Sequence, residues 1–125
     1  MSKLSEQLKG TITQLEEARI ATLNAQQAAE LAKIAEAKLE LEMHLRLVKD
    51  TLISQIENNK VPKYLIGDWN IQDLWLKYEA GKSPFMQVWR DWMASFVAED
   101  LRVKIMHEHD GFGERSWLNI TVVPQ

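Results

Sequence analysis

The feature that most constrains the fold of this chain is that residues 11–59 contain neither glycine nor proline. Alanine, leucine, glutamate, glutamine and lysine dominate this stretch, and these residue types have the highest helix propensities. Asn58 and Asn59, followed by Pro62, form a stop signal for a helix. The sequence therefore predicts one long helix within residues 1–60.

A helix of this length needs a partner, because about 48 helical residues span roughly 70 Å and helices of globular proteins average about 11–12 residues. Positions spaced three and four apart form a coiled-coil-like seam, which Lys38 and Gln55 interrupt. Its apolar members are Leu31, Ile34, Leu41, Leu45, Val48 and Leu52. We expect the chain to self-associate through this seam, most simply as a homodimer.

The same helix is rich in alanine, with eight alanines between Ala18 and Ala37. The apolar registers before and after this stretch do not join without a shift, so one strict heptad over the whole helix is not expected. A shifted, alanine-rich stripe favours close antiparallel packing or a bundle over a parallel zipper. The alternative is a lone amphipathic helix that folds onto its own C-terminal domain.

Residues 61–125 differ from the helix because they contain all ten aromatic residues of the chain. Periodic apolar positions predict helices near residues 70–80 and 84–100. Alternation of period two then predicts a β-hairpin near residues 101–123, with its turn at residues 110–113. The expected fold is therefore α+β and predominantly helical, with a long N-terminal helix followed by a compact two-helix and hairpin head.

Five tryptophans lie in this head, and tryptophan is favoured at interface hot spots. A domain of this size does not easily bury five indoles, so part of the set is expected to form a partner-binding surface. The candidate residues for that surface are Trp69, Trp75, Trp89, Trp92 and Arg90. The alternative is that the tryptophans fill a core that is poor in aliphatic residues.

The motif with the clearest chemical potential is His107-Glu108-His109, because residues two apart in a strand point to the same face. His107 and His109 are weak candidates for a metal site, which needs a third ligand from His44 or Glu114. The alternative is a polar strand end that enters a solvated turn. No catalytic residue and no cofactor is predicted.

Composition excludes several function classes. The chain has no cysteine, so disulfide scaffolds and thiolate metal sites are absent. The net charge of −3 is spread over both halves, with 8 basic and 9 acidic residues in 1–62 and 7 and 9 in 63–125, which makes nucleic acid an unlikely partner. No apolar run is long enough to span a membrane, and no signal peptide follows Met1. We therefore expect a cytoplasmic protein without a membrane partner.

The sequence thus predicts a non-enzymatic protein–protein interaction module. In this hypothesis the long helix sets the number of copies, and the aromatic head of this adaptor or inhibitor binds a macromolecular partner. A phage- or mobile-element-encoded inhibitor of a host protein is one form that such a module could take. Two alternatives stay open: a structural or assembly protein that acts through its coiled coil, and a small metal-binding protein or enzyme that uses His107 and His109.

Overall fold

The structure is a computed structural model that describes residues 2–113 and 115–125. The chain contains three helices and three strands within these residues. Their bounds are α1 Lys3–Glu57, β1 Lys63–Ile66, α2 Trp69–Glu79, α3 Met86–Val97, β2 Leu101–His109 and β3 Ser116–Pro124. The predicted α+β, predominantly helical fold with a long N-terminal helix is confirmed.

Helix α1 has a defined cap at each end. The Ser2 hydroxyl accepts a hydrogen bond from the Leu4 amide at 3.1 Å at the N-terminus. At the C-terminus Asn59 adopts a positive φ of 59°, and the Lys60 amide donates to the Gln55 carbonyl at 2.8 Å. This six-to-one bond is typical of a Schellman motif, so the predicted stop signal is confirmed.

The chain divides into two compact units, Met1–Ala37 and Lys38–Gln125, and the boundary lies inside α1. The N-terminal unit is helical from Lys3 onwards, and every residue of 2–36 is exposed. The sequence predicted a boundary at residue 60 instead. The division falls earlier because residues 41–52 of α1 supply side chains to the core of the C-terminal unit.

Four of the predicted seam residues belong to that core. Leu41, Leu45, Val48 and Leu52 are only 0–1% exposed within a single chain. They pack in the C-terminal unit with other buried side chains, including Trp89, Phe96, Ile66, Leu118 and Ile120. Their assignment to oligomerisation is therefore corrected, because side chains that are already covered cannot bury further area against a second chain.

The three strands form one antiparallel sheet in the order β1-β3-β2. The predicted hairpin is the β2–β3 pair, and its turn closes with a 3.1 Å hydrogen bond from the Gly113 amide to the Asp110 carbonyl. Strand β1 was not predicted as a strand, because its four residues are too few for alternation to show. Its Tyr64 pairs with Ile120 of β3.

One face of the sheet is buried and packs against helices. Leu118, Ile120 and Val122 of β3 point to this inner face, which lies against α2 and α3. The outer face carries the alternate residues of each strand and no helix of the C-terminal unit covers it, since Leu65 and Met106 there are more than half exposed. The alternation of apolar and polar residues in β2 and β3 thus has its expected structural meaning.

Both short helices begin and end close to the predicted positions. Helix α2 is capped by Asp68, whose carboxylate accepts from the Asn70 amide at 2.8 Å. It ends at Glu79, and Gly81, two residues further on, has a positive φ of 72° that turns the chain away. Helix α3 is shorter than the predicted 84–100, because Pro84 belongs to a turn and Asp100 has left the helical region with a φ of 58°.

Two glutamines tie the elements of the C-terminal unit together. The Gln72 side chain is buried; its amide nitrogen donates to the Gly67 and Ser116 carbonyls at 3.0 Å, and its oxygen accepts from the Ser116 hydroxyl at 2.7 Å. Gln55 of α1 bonds both the amide and the carbonyl of Lys63 in β1. The buried Gln72 amide fixes β3 against α2 in this way, and the partly exposed Gln55 amide joins α1 to β1.

Candidate functional site

Three of the five tryptophans form a buried chain of aromatic rings. Trp75 and Trp89 lie 5.2 Å apart between ring centroids, and Trp89 and Trp92 lie 6.5 Å apart. Phe96 and Tyr78 extend this chain at its two ends. Trp75, Trp89 and Trp92 are at most 8% exposed, so their assignment to a partner-binding surface was wrong: these indoles fill the core, as in the alternative interpretation.

The aromatic chain also holds α1 in the C-terminal unit. The indole N–H of Trp92 donates to the Leu45 carbonyl of α1 at 2.7 Å. Lys49 of α1 donates to the Ser95 carbonyl of α3 at 3.3 Å, and its ammonium lies 5.2 Å from the centre of the Phe96 ring. The aromatic helix α3 therefore contacts α1 at Leu45 and Lys49, within the part of the predicted seam that is buried in this unit.

The two remaining members of the predicted surface are exposed but do not belong to one recess. Trp69, the first residue of α2, is 57% exposed. It lines a recess of about 550 Å³ together with Leu65, Trp117 and Arg115. Arg90 of α3 is exposed and is not part of the lining of this recess. Trp69 therefore remains a candidate residue for contact with a partner protein. Arg90 lies apart from the Trp69 recess, so the two residues do not form one surface there.

The recess continues onto the outer face of the sheet, where the register places side chains from all three strands in rows. Leu65 of β1 and Met106 of β2 pair with Asn119 of β3 from its two sides. Lys63 and Lys104 flank Thr121 in the same way one step along the strands. The face thus has an apolar row next to a basic row.

Hydrogen bonds order the side of this face that lies next to the recess. Glu108 accepts from the indole N–H of Trp117 at 2.9 Å and from the Asn119 amide at 3.0 Å. These bonds hold the Trp117 ring against strand β2, because the indole N–H has one direction in which it can donate. Trp117, which is partly exposed, therefore presents a fixed apolar surface beside Leu65 and Trp69.

Sequence reasoning missed most of this face. The alternation in β2 places Arg102, Lys104 and Met106 on one side of the strand, which is a signal that the sequence contains. The pattern indicates that this side of β2 faces solvent, but it does not show which residues of other strands share the face. Leu65 and Lys63 gave no signal, because β1 was not recognised as a strand.

The candidate metal ligands have different surroundings in the structure. His107 and His109 are both in β2, but His107 is partly buried whereas His109 is exposed, with its Nδ1 atom 3.0 Å from the Asp110 carbonyl oxygen. His44 is partly buried in α1. Glu114 lies outside the described residues. Within residues 2–113 and 115–125, no group of three or more metal-ligating side chains lies close enough to hold an ion.

A second recess, of about 410 Å³, lies between α1 and α3 in the C-terminal unit. Its cations are partly neutralised within the chain, since Lys38 lies 3.9 Å from Glu42 and Lys49 lies 3.8 Å from Glu99. Its wall also includes Asp91. Because its lysines are paired with carboxylates, this recess has less unpaired positive charge to offer a partner than the outer face of the sheet.

Comparison with known proteins adds no further constraint on the site. No protein-family model, curated protein or solved structure matches the chain. Within the described part of the chain, no helix has both the length and the apolar character needed to cross a membrane.

Proposed function

We propose that the protein is a non-enzymatic, self-associating binding protein, in which the N-terminal unit joins copies of the chain and the C-terminal unit contacts a macromolecular partner. One observation carries the proposal: every residue of 2–36 is exposed, although eight of them are leucines or isoleucines. Each of these eight side chains is 47–76% exposed. Such a helix gains almost no stabilisation from burial of apolar surface within its own chain. Its apolar side chains therefore favour packing against another chain.

The exposed area of the chain supports this view. The chain exposes 9388 Å², whereas a compact monomer of 14.5 kDa exposes roughly 6,900 Å². The excess is roughly 2,500 Å², and a stable interface needs only about 800 Å² from each partner. The uncovered helix therefore has enough surface for a stable contact between copies.

Charge does not provide another way to stabilise the N-terminal helix. A lone, solvated helix is typically supported by ion pairs between residues three or four positions apart. Among described residues 2–37 no such pair forms; the first ion pair along the described chain joins Lys38 and Glu42 at 3.9 Å. The exposed leucines and isoleucines are thus the main source of stabilisation open to this helix.

The spacing of the alanines favours close, antiparallel pairing of copies. Six exposed alanines follow one another at alternating intervals of three and four residues: Ala18, Ala21, Ala25, Ala28, Ala32 and Ala35. Small side chains at these intervals allow two helix axes to approach closely. Of the two residues that remain from the predicted seam, Leu31 lies beside this stripe and would flank such a contact, whereas Ile34 lies further round the helix and offers apolar area for a further helix of a bundle.

The proposal treats the C-terminal unit as the adaptor or inhibitor part. Two linked copies of a modest binding surface gain avidity without any new contact. A cytoplasmic location belongs to this proposal, as does the idea of a phage- or mobile-element-encoded inhibitor. The exposed helix also favours the second candidate function, an assembly protein that needs the N-terminal unit alone.

The experiment that tests self-association is the mass of the intact full-length protein in solution, measured by light scattering over a range of micromolar concentrations. We expect a dimer or a larger oligomer for the natural chain. The variant Leu31→Gln/Ile34→Gln, which keeps helix-forming residues and adds no charge, should be largely monomeric because it loses exposed apolar area.

The matched control is Lys33→Gln/Glu36→Gln, which makes the same number of changes in the same helix without changing its apolar surface or net charge. The control should keep the mass of the natural chain. A natural chain that stays monomeric at every concentration, or a Leu31→Gln/Ile34→Gln variant with unchanged mass, contradicts the proposed role of this helix.

A further inference from the structure

The outer face of the three-stranded sheet carries exposed apolar and basic side chains from β1 and β2. We propose that this face binds an acidic segment of a partner protein, with apolar side chains of that segment held beside Leu65, Met106 and Trp69. This inference rests on the proposed function, because it names the surface and the class of partner that the C-terminal unit would use.

The apolar half of the face is defined by strand register. Leu65 and Met106 lie on either side of Asn119, and both are more than half exposed. Trp69 and Trp117 line the recess that continues from Leu65. Large apolar side chains grouped on one exposed face are typical anchors of protein interfaces, whereas scattered single ones are not.

The basic half of the face lies next to the apolar half. Lys63 and Lys104 pair with Thr121 from opposite sides, which places their backbones about 10 Å apart. Arg102 lies two residues before Lys104 in β2, on the same side of the strand. Within the described residues, none of these three cations lies in ion-pair distance of a carboxylate, since the three ion pairs there involve other residues.

The charge of this face is opposite to that of the chain. The whole protein has a net charge of −3, but Glu108 is the one acidic residue among the strand positions of the outer face. One oxygen of the Glu108 carboxylate, Oε1, accepts from both the indole N–H of Trp117 and the Asn119 amide. A partner that complements Lys63, Lys104 and Arg102 must therefore supply carboxylates of its own.

The same features favour a protein segment over nucleic acid. Single-stranded nucleic acid binds on aromatic platforms along a continuous basic track. Here the row beside Lys63 and Lys104 carries the aliphatic side chains Leu65 and Met106 with Asn119 between them, rather than aromatic rings. Aliphatic anchors next to a short basic row instead match a segment that carries both carboxylates and apolar side chains.

The test uses the full-length chain and a displayed library of random 16-residue peptides, with selection for peptides that bind the natural chain over Lys63→Glu/Lys104→Glu. Affinities of selected peptides are then measured by fluorescence anisotropy. We expect acidic peptides with two or more large apolar residues, whose binding weakens as salt rises. Lys63→Glu/Lys104→Glu and, separately, Leu65→Ser/Trp69→Ser should each weaken this binding about tenfold or more.

The matched control is Lys82→Glu/Arg90→Glu, which makes the same change in net charge at two exposed positions outside the sheet. It should alter peptide affinity by less than about twofold, since distant surface charges are largely screened. Near-ultraviolet circular dichroism of the tryptophans checks that every variant keeps its core.

Three outcomes overturn the proposal. The first is that selection enriches no peptide over the variant surface, or enriches peptides that are not acidic. The second is that a 20-nucleotide oligo(dT) binds and is lost with Lys63→Glu/Lys104→Glu while acidic peptides do not bind, which would assign the face to nucleic acid. The third is a change of oligomeric mass in that variant, which would assign the face to a second copy.

The outcome is distinguishable from that of the proposed self-association. If the natural chain is monomeric yet selects acidic peptides, the N-terminal role fails and the outer face stands. If Leu31→Gln/Ile34→Gln abolishes oligomers while peptide selection fails, self-association stands and the outer face has no such partner.

Discussion

The two parts of helix α1 show that a similar apolar pattern has opposite fates in one chain. Leu31 in the N-terminal unit is 67% exposed, whereas Leu45, two heptads further along the same predicted seam, is 1% exposed. The residue type and the helix are the same. The difference comes from what covers each residue, because aromatic helix α3 packs over Leu45 and nothing in the N-terminal unit packs over Leu31.

This difference has an energetic meaning. Burying a leucine side chain contributes about 1.5–3 kcal/mol relative to leaving it exposed, and the C-terminal unit collects this contribution at Leu41, Leu45, Val48 and Leu52. The N-terminal unit gains almost no stabilisation of this kind from its own chain, because residues 2–36 are exposed. We therefore expect local unfolding to cost much less free energy in the N-terminal unit than in the C-terminal unit, unless a partner covers it.

The largest expected effect tests whether the aromatic residues are the cover. Trp89→Ala removes a fully buried indole from the chain of rings and should lower the free energy of unfolding of the C-terminal unit by about 3–5 kcal/mol. Trp69→Ala is the matched control, since 57% exposure of this residue predicts a change of under about 1 kcal/mol. Urea unfolding followed by tryptophan fluorescence measures both.

Equal losses in the two tryptophan variants would contradict this assignment. It would mean that the buried ring chain is no more important for stability than a partly exposed ring at the start of α2.

The second prediction compares one substitution in the two regions directly. Leu45→Ala should destabilise the C-terminal unit by about 2–5 kcal/mol, because it leaves a cavity beside α3. Leu31→Ala should change the free energy of unfolding of that unit by less than about 0.5 kcal/mol, because the Leu31 side chain is exposed. Both variants are measured by urea unfolding, and the oligomeric mass of Leu31→Ala is measured beside them.

The outcome at Leu31 decides which description of the N-terminal unit holds. A lower oligomeric mass with unchanged stability of the C-terminal unit supports a contact between copies. If Leu31→Ala destabilises the C-terminal unit as strongly as Leu45→Ala does, Leu31 has a partner within the chain and the contrast between the regions disappears.

The helices and the β2–β3 hairpin could be predicted well because their signals are local, whereas the four-residue strand β1 was missed. The absence of glycine and proline predicted α1, the Asn58-Asn59 pair predicted its end, and alternation predicted the β2–β3 hairpin. These signals depend on backbone propensity and capping, which act within a few residues. They transfer from sequence to structure without knowledge of the rest of the fold.

The surfaces could not be predicted in the same way, because burial depends on residues that are distant in the sequence. Trp89 and Trp69 are the same residue type, and only the packing of α2, α3 and β3 decides that one is core and the other is exposed. Gln55 interrupts the predicted seam for a reason that lies in β1, where its side chain bonds the Lys63 backbone. Periodicity identifies an apolar face but not its partner.

The smallest expected effect concerns Gly10, which lies inside the exposed helix of the N-terminal unit with open space around it. Gly10→Ala should stabilise this part of the helix by about 1 kcal/mol, since alanine has the higher helix propensity. Because this part of the helix opens locally, the added 1 kcal/mol should slow hydrogen exchange of the nearby amides by roughly fivefold. The urea midpoint of the C-terminal unit should not move.

A counterpart in the C-terminal unit sharpens the comparison. Ala94→Gly changes an exposed position of α3 in the opposite direction. It should lower the unfolding free energy of the whole C-terminal unit by about 1 kcal/mol, because the helix there unfolds together with the core. If Gly10→Ala raised the urea midpoint by an equivalent amount, propensity at residue 10 would be coupled to the aromatic core, and the two regions would unfold as one cooperative unit.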